Sequence, residues 1–106
     1  MITIEDFAKV ELKTGKVIEA NRVEGSNKLI VMKVNTGEDR QLVAGIGKAY
    51  TPEELIGKSI VIVTNLQPAR LMGVESQGML LAASDDEGRL SILIPEREIK
   101  EGSKVK

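Results

Sequence analysis

The chain has 106 residues and a formal net charge of −1, with 42% hydrophobic, 29% charged and 2% aromatic residues. This length suits one compact core, so we expect a single domain over residues 1–106. Cysteine and histidine are both absent, which excludes disulfides, thiolate nucleophiles, imidazole bases and soft-metal sites. No apolar run approaches the roughly 20 residues that span a bilayer, and the N-terminus lacks a signal-peptide pattern, so we expect a cytoplasmic protein without membrane contact.

Basic and acidic residues are distributed unevenly. Lysines and arginines recur through residues 9–48, whereas residues 85–101 are rich in Asp and Glu. Nucleic-acid binding usually accompanies a basic excess, so the net charge argues against it. The uneven distribution still allows a basic surface on one side of the fold.

The first half of the chain predicts a short helix followed by three β-strands. Thr3, followed three residues later by Asp6, is typical of a helix N-cap and predicts a helical turn over residues 4–8. Alternation of apolar and polar residues predicts strands over residues 9–20, 29–36 and 41–46. Gly15 predicts a β-bulge in the first strand. In the second strand, the apolar residues share one face, so we expect Lys33 on the opposite, solvated face.

The second half predicts one helical turn and three more strands. Thr51 supplies an N-cap, Pro52 suits the first helical position and Gly57 ends the turn. The predicted strands cover residues 59–66, 79–83 and 91–94, with residues 85–88 as the turn before the last strand. Three strands, a short helix, two strands and a C-terminal extension match an OB-fold, an all-β five-stranded barrel that binds ligands on its strand two and three face and nearby loops.

Three short motifs invite a chemical interpretation that their spacing does not support. Residues 45–48 lack the spacing and the Ser or Thr of a phosphate-binding loop. The carboxylates of residues 85–87 lack the spacing of a calcium loop and fit a hairpin turn. Glu53 and Glu54 already have a capping role at a helix start. We therefore predict no catalytic residue, no metal site and no cofactor.

Residues 65–83, NLQPARLMGVESQGMLLAA, place Pro, Arg, Gly and Ser between apolar runs. Pro68 lacks a backbone donor and is expected to end the fourth strand, before an irregular loop that contains Gly73 and Gly78. In an OB barrel, this loop lies beside the strand two and three face, which makes Arg70 and Ser76 candidate ligand-binding residues. The alternative is a surface loop without a ligand.

This stretch closely resembles the tRNA-binding domain that is appended to methionyl-tRNA synthetases and also occurs in free-standing tRNA-binding proteins. The similarity covers essentially the whole chain and includes residues 4–7, 12–17, 28–29, 40–46 and 50–58. The family implies an OB-fold homodimer that recognises tRNA by shape at the outer corner of the L and does not itself aminoacylate. The tRNA-binding residues that it implies are Lys28, Arg40, Asn65, Arg70, Ser76, Gly78 and Met79.

The composition favours recognition of RNA by shape. Phe7 and Tyr50 are the only aromatic residues, so base stacking on aromatic platforms is disfavoured. Phosphates and 2′-hydroxyls of a folded RNA suit basic and hydroxyl side chains, which adds Lys33 to the candidates. Residues 22–27 depart from the His-Pro and Ala-Asp that relatives often carry there, so the family's contact is not carried over to this loop.

The resemblance also implies a dimer and a synthetase partner. A two-fold assembly would present two basic faces to one RNA. We place the barrel core at about residues 1–84 and a dimerising extension at about 85–106. The interface candidates, whose alternative role is closure of the core, are Leu90, Ile92, Ile94, Ile99 and Val105. The leading hypothesis is a noncatalytic module that raises the tRNA affinity of methionyl-tRNA synthetase and works with its catalytic part; the alternatives are a free-standing tRNA-binding protein and a dimeric peptide-binding chaperone.

Overall fold

The computed structural model describes all 106 residues and is mostly β. The helices are α1 (Ile4–Phe7) and α2 (Pro52–Leu55). The strands are β1 (Leu12–Arg22), β2 (Ile30–Asn35), β3 (Asp39–Ala44), β4 (Ser59–Val63), β5 (Ala69–Leu71), β6 (Val74–Ser76), β7 (Met79–Leu80), β8 (Ala82–Ser84), β9 (Leu90–Ile92) and β10 (Lys104–Val105). Neither helix has the length or apolar character needed to cross a membrane.

Five strands form a nearly closed antiparallel barrel, in the order β3-β2-β1-β4-β7. The predicted OB-fold is therefore confirmed. β1 is shared between the two halves of the barrel, because its residues 12–16 pair with β4 and its residues 16–22 pair with β2. This strand brings the two halves around one core.

The predicted bulge in β1 is displaced from Gly15. The register with β2 shifts between Val17 and Glu19, just after β1 leaves β4. The extra residue bends β1 along β2 at that point. Gly15 instead allows close approach of the strands, since a Cβ there would lie 2.6 Å from Val34 Cγ1.

The core is aliphatic, as the composition predicts. Its members are Val17, Ala20, Ile30, Met32, Val34, Leu42, Ile46, Leu55, Ile60, Ile62 and Ile92. Leu55, with no exposed surface, anchors α2, and burial of such a side chain stabilises a fold by about 2 kcal/mol. The predicted cap and stop of α2 are confirmed: Glu54 Oε2 accepts the Thr51 N–H at 2.8 Å, and Gly57 has φ +90°.

The N-terminal helix also has its predicted cap but contributes nothing to the core. The Asp6 N–H donates to Thr3 Oγ1 at 3.1 Å, and the Thr3 N–H donates to Asp6 Oδ2 at 3.2 Å. No residue of α1 is buried. Its capping box therefore holds a helix whose faces are all open to solvent in the single chain.

Residues 69–84 differ most from the predicted structure. The expected irregular loop is a two-stranded β5–β6 hairpin, and the expected strand over 79–83 is split into β7 and β8. Leu81 joins these two strands, since its N–H donates to the Val61 carbonyl and its own carbonyl accepts the Leu93 N–H, each at 3.0 Å. Residues 79–84 thus pair first with β4 and then with β9. The alternation of apolar and polar residues along the sequence does not indicate such a change of partner.

The C-terminal residues join the barrel sheet only through β10, whereas β9 forms a separate two-stranded sheet with β8. The boundary predicted near residue 85 falls in the turn of the β8–β9 hairpin, and β10 pairs with the start of β1. That turn is confirmed: Asp85 Oδ1 accepts the N–H groups of Glu87 and Arg89 at 3.0 and 2.9 Å, and Oδ2 accepts Arg89 Nε–H at 2.6 Å. The backbone hydrogen bond from Arg89 is the main cause that lowers the pKa of Asp85.

Candidate functional site

The β5–β6 hairpin is fastened to β3 through Ser76. This side chain is 5% exposed; its Oγ accepts the Val43 N–H and donates to the Gly78 carbonyl, both at 3.0 Å. The neighbouring Gln77 N–H donates to the Gln41 carbonyl at 2.7 Å. The Ser76 hydroxyl is therefore committed to fastening the hairpin to β3 and is not presented to a ligand.

Arg40 performs a similar structural task. Its Nη1 donates to the carbonyls of Thr64 and Gln77, each at 3.0 Å, and its Nη2 contacts Glu38 Oε1 at 3.1 Å. The side chain is 20% exposed. Most of the guanidinium is thus directed at the protein, where it joins β3 to the segment that follows β4.

Asn65 ties the same segment to the N-terminus. Its Nδ2 donates to the Lys9 carbonyl at 2.7 Å, and its Oδ1 accepts the Glu11 N–H at 2.8 Å. Next to it, the Thr64 hydroxyl donates to the Glu11 carboxylate, which is the main cause that lowers the pKa of Glu11. The amide of Asn65 therefore joins the segment after β4 to the residues between α1 and β1.

Gly78 and Met79 differ in what they offer. Gly78 has φ +153°, and a Cβ there would lie 2.8 Å from the Val63 carbonyl oxygen and 2.9 Å from Leu42 Cδ2. Only glycine fits this approach without displacement of its neighbours. Met79, at 50% exposure, is accessible at the surface beside it.

Lys28, Lys33 and Arg70 are the predicted cations that remain free. All three are exposed, and none belongs to an ion pair of the chain. Unpaired surface cations are the groups that contact phosphates. Arg70 is partly committed, because its Nη1 donates to the Gly73 carbonyl at 2.9 Å.

The loop that carries Lys28 is held firmly, although its sequence departs from the family pattern. The Gly47 N–H donates to the Lys28 carbonyl at 2.7 Å, and Arg22 Nη1 donates to the Gly47 carbonyl at 2.9 Å. A Cβ at Gly45 would lie 3.1 Å from Lys28 Cε. The aliphatic part of Lys28 therefore lies over the backbone of Gly45.

Lys33 lies in a more mixed environment. It lines an open groove of about 330 Å³ on the outer face of β1, β2 and β3, together with Glu19, Asn21, Val31, Met32, Asp39, Arg40, Gln41 and Gln77. Glu19 is its direct partner in the β1–β2 register. The carboxylates in this groove reduce its attraction for phosphate, so Lys28 and Arg70 are the stronger phosphate-binding candidates.

The predicted interface residues lie in different environments. Ile92 is 7% exposed and belongs to the core, where Leu90 packs against it. Their alternative role, closure of the core, therefore applies. Ile94 and Ile99 are 59% and 48% exposed, and Val105 is partly buried.

Sequence reasoning missed Met72, which lies at the tip of the β5–β6 hairpin and is 59% exposed. The Met-Gly pair at 72–73 lacks the Asn-Gly or Asp-Gly pattern by which such turns are usually found. No group of three or more Asp or Glu side chains is placed to hold a metal ion. The site is thus a surface of exposed cations and apolar side chains supported by a polar network.

The fold agrees with the comparisons to known proteins. The family model described as "Putative tRNA binding domain" matches residues 12–104. The chain belongs to this tRNA-binding domain family. The resemblance found in residues 65–83 is thereby confirmed.

Individual relatives give the same picture. The methionine--tRNA ligase of Caldanaerobacter subterraneus subsp. tengcongensis is 60% identical over 105 residues, which are 98% of this chain and 16% of that protein. A MetRS-related protein from Pyrococcus horikoshii has a TM-score of 0.96 at 36% identity, with 100% and 98% of the two chains covered. The chaperone CsaA of Bacillus anthracis has a TM-score of 0.91 at 32% identity, with 100% and 99% covered.

Proposed function

We propose that this chain is a noncatalytic, shape-specific tRNA-binding module that raises the tRNA affinity of methionyl-tRNA synthetase. The observation that carries this proposal is a pair of cations outside any ion pair, Lys28 in the segment between β1 and β2 and Arg70 in the β5–β6 hairpin, on two parts of the chain that approach each other. Met72, from the hairpin of Arg70, lies against Gly25, in the loop of Lys28; a Cβ at Gly25 would be 3.5 Å from Met72 Cε. Phosphates of one folded RNA would bridge these two loops.

Arg40, Asn65, Ser76 and Gly78 act as positioning residues in this proposal. Ser76, Gly78 and Arg40 hold residues 76–78, at the end of the hairpin, against β3 and β4. Asn65 ties the segment that leads into the hairpin to residues 9–11. RNA recognition by shape requires cations at fixed separations, because phosphate contacts position the ligand without identifying its bases. Loss of a positioning residue would thus weaken binding through the placement of Arg70.

We also propose a homodimer that forms through α1 and the adjoining C-terminal strand. Ile2 and Ile4 are 71% and 72% exposed, and an apolar groove of about 320 Å³ lies between Phe7, Val10 and Val105. An exposed apolar helix held by its own cap is suited to covering by a second copy. Two-fold pairing would present two sets of Lys28 and Arg70 to one RNA.

The dimer is tested with Ile4→Glu, because a carboxylate in the apolar contact would be buried without a partner. Sedimentation equilibrium should give a dimer for the wild type and a monomer for the variant. Ile56→Glu, at another exposed apolar position, serves as the control and should remain dimeric. A monomeric wild type, or two dimeric variants, would contradict the assignment of this surface.

The synthetase partnership is inferred from the relatives. The 60% identical ligase is a much longer protein, of which this chain spans 16%. We propose that the module acts in protein biosynthesis in the cytoplasm and holds tRNA while the catalytic part of methionyl-tRNA synthetase charges it. Addition of the module to that catalytic part should lower the KM for tRNA, and removal of the module should raise it, with a smaller effect on kcat in both cases.

The tRNA-binding proposal is tested by equilibrium binding over a salt series. Folded tRNA, simple duplex RNA and unstructured RNA of similar length compete for the protein. Preference for folded tRNA, with affinity that falls steeply as salt rises, is the expected result. Equal weak binding to all three RNAs would refute shape recognition.

A peptide-binding chaperone is the second candidate, because the fold matches CsaA with a TM-score of 0.91 and several large apolar side chains are exposed. An unfolded polypeptide is therefore included as a competitor. Displacement of tRNA by this polypeptide at physiological salt would favour the chaperone function. Polypeptide binding that is absent or leaves tRNA bound would favour the tRNA-binding function.

A further inference from the structure

The turn of the β5–β6 hairpin holds a methionine in an unfavourable backbone conformation. Leu71 pairs with Val74, so the connection consists of Met72 and Gly73, with φ +50° and +80°. Met72 is the only non-glycine residue of the chain with positive φ. Asn and Asp adopt positive φ more readily than Met and are preferred at this position of a two-residue hairpin turn. The presence of Met at this position therefore requires an explanation.

The side chain of Met72 is exposed and yet positioned. It is 59% exposed, and the adjacent Leu71 is 38% exposed, so the hairpin ends in a small apolar tip. The thioether methyl lies against Gly25, and Arg70 Nη1 holds the turn through the Gly73 carbonyl at 2.9 Å. These contacts place an apolar group where the hairpin of Arg70 approaches the segment of Lys28.

We propose that the Met72 side chain packs against an exposed base face of the bound RNA, while Lys28 and Arg70 contact phosphates on either side. The proposal rests on the proposed tRNA-binding function and adds a contact to it. The polarizable thioether of methionine makes favourable contacts with aromatic rings. A methionine can thus supply the contact with a base that aromatic side chains supply on other RNA-binding surfaces.

The surroundings of the tip favour a base face as the occupant. A protein interface generally requires about 800 Å² from each partner, whereas this tip consists of two side chains. The hairpin and the adjacent loop contribute Arg70 and Lys28, which are complementary to phosphates and not to an apolar peptide. A single base face combines a flat apolar surface with phosphates nearby.

The contact is tested by NMR of methyl-labelled methionine. The chain has four methionines, and Met32, at 1% exposure, serves as an internal reference. Addition of folded tRNA should move the Met72 methyl signal upfield through the ring current of a base, while that of Met32 stays in place. A Met72 signal that is unmoved in saturated complex, or that moves only with unfolded polypeptide, would overturn the proposal.

Two RNA probes identify the source of the base face. One is a blunt-ended duplex, which exposes the face of its terminal pair, and the other is a hairpin with an unpaired loop. An upfield Met72 shift with the first indicates a terminal pair, and a shift with the second indicates an unstacked base. Ring-current shifts with neither probe and none with tRNA would count against a base contact altogether.

Substitution separates this contact from the fold. Met72→Asn suits the turn, so the hairpin should be at least as stable, yet tRNA affinity should fall about tenfold through loss of apolar contact. The slope of affinity against salt should stay unchanged, because no phosphate contact is removed. Met72→Leu should retain most of the affinity, and Ile56→Asn, at a comparably exposed position, serves as the matched control.

The outcomes distinguish this inference from the function on which it rests. If the wild type shows no preference for folded tRNA, the proposed function fails. If the preference is present and Met72→Asn binds as tightly as the wild type, the base contact alone is refuted. If Met72→Asn loses affinity with a reduced salt slope, the side chain acts through a displaced cation and the base contact is again refuted.

Discussion

The β2–β3 and β5–β6 hairpins contact each other but are held by different forces. β2–β3 forms part of the barrel wall, and Ile30, Val34 and Leu42 have no exposed surface. β5 is exposed along its length, and its hairpin is held by the polar contacts of Ser76 and Arg40. Burial of apolar surface therefore specifies the first hairpin, whereas long-range hydrogen bonds specify the second.

The strongest way to break the first hairpin is to remove apolar volume from its inner face. Ile30→Ala should lower the free energy of unfolding by about 3 kcal/mol, because the buried side chain leaves a cavity. Chemical denaturation at neutral pH measures this loss. Val31→Ala, on the partly exposed opposite face, should cost much less; equal losses would show that burial does not specify this hairpin.

The second hairpin should respond to loss of a hydrogen bond. Ser76→Ala leaves the Val43 N–H without its acceptor and should cost about 1–3 kcal/mol of stability. Affinity for tRNA should also fall, with rates of hydrogen exchange rising selectively at residues 69–76. The exposed Ser84→Ala is the control. Normal exchange protection of the hairpin in the Ser76 variant would contradict the positioning role.

Lys28 and Lys33 allow a comparison of two surfaces. Lys28 lies outside the groove on β1, β2 and β3, whereas Lys33 lines that groove together with carboxylates. Lys28→Ala should weaken tRNA binding several-fold and lower the salt slope by about one, as expected for a lost phosphate contact. Lys33→Ala should have a smaller effect, since Glu19 and Asp39 share its groove. A larger loss for Lys33→Ala would move the phosphate site onto the face of β1, β2 and β3.

The smallest expected effect concerns the hydrogen bond between Thr64 and the Glu11 carboxylate. The Thr64 hydroxyl lowers the pKa of Glu11 from its ordinary value of 4.5. Ionised Glu11 therefore stabilises the fold above that value, and this contribution is lost as pH falls through the lowered pKa. Between pH 7 and about pH 3, Glu11→Gln should lose less stability than the wild type in denaturant unfolding; equal losses would exclude this carboxylate as a source of acid sensitivity.

Alternation and local capping motifs were sufficient to predict most of the barrel. The apolar face of β2, the outward Lys33, the Thr51 cap and the stop at Gly57 depend on neighbours within a few residues. The bulge of β1 was predicted at Gly15 but lies after Val17, and the division of residues 79–84 between two partners was not predicted. Both depend on where one strand leaves a neighbour and meets another, which one-dimensional periodicity does not contain.

The sequence by itself determined the class of this protein and its candidate cations, because side-chain type and order along the chain are sufficient for both. Only the tertiary structure decided which candidates are accessible to a ligand. The hydrogen-bond partner of Ser76 in β3 is 33 positions away in sequence, and the partners of Asn65 are at least 54 positions away. Met72 contacts Gly25 only because their two segments converge in the fold. Such contacts form only when distant parts of the chain come together. Polar residues of the same type therefore divide into those that stabilise the surface and those that remain accessible to a ligand.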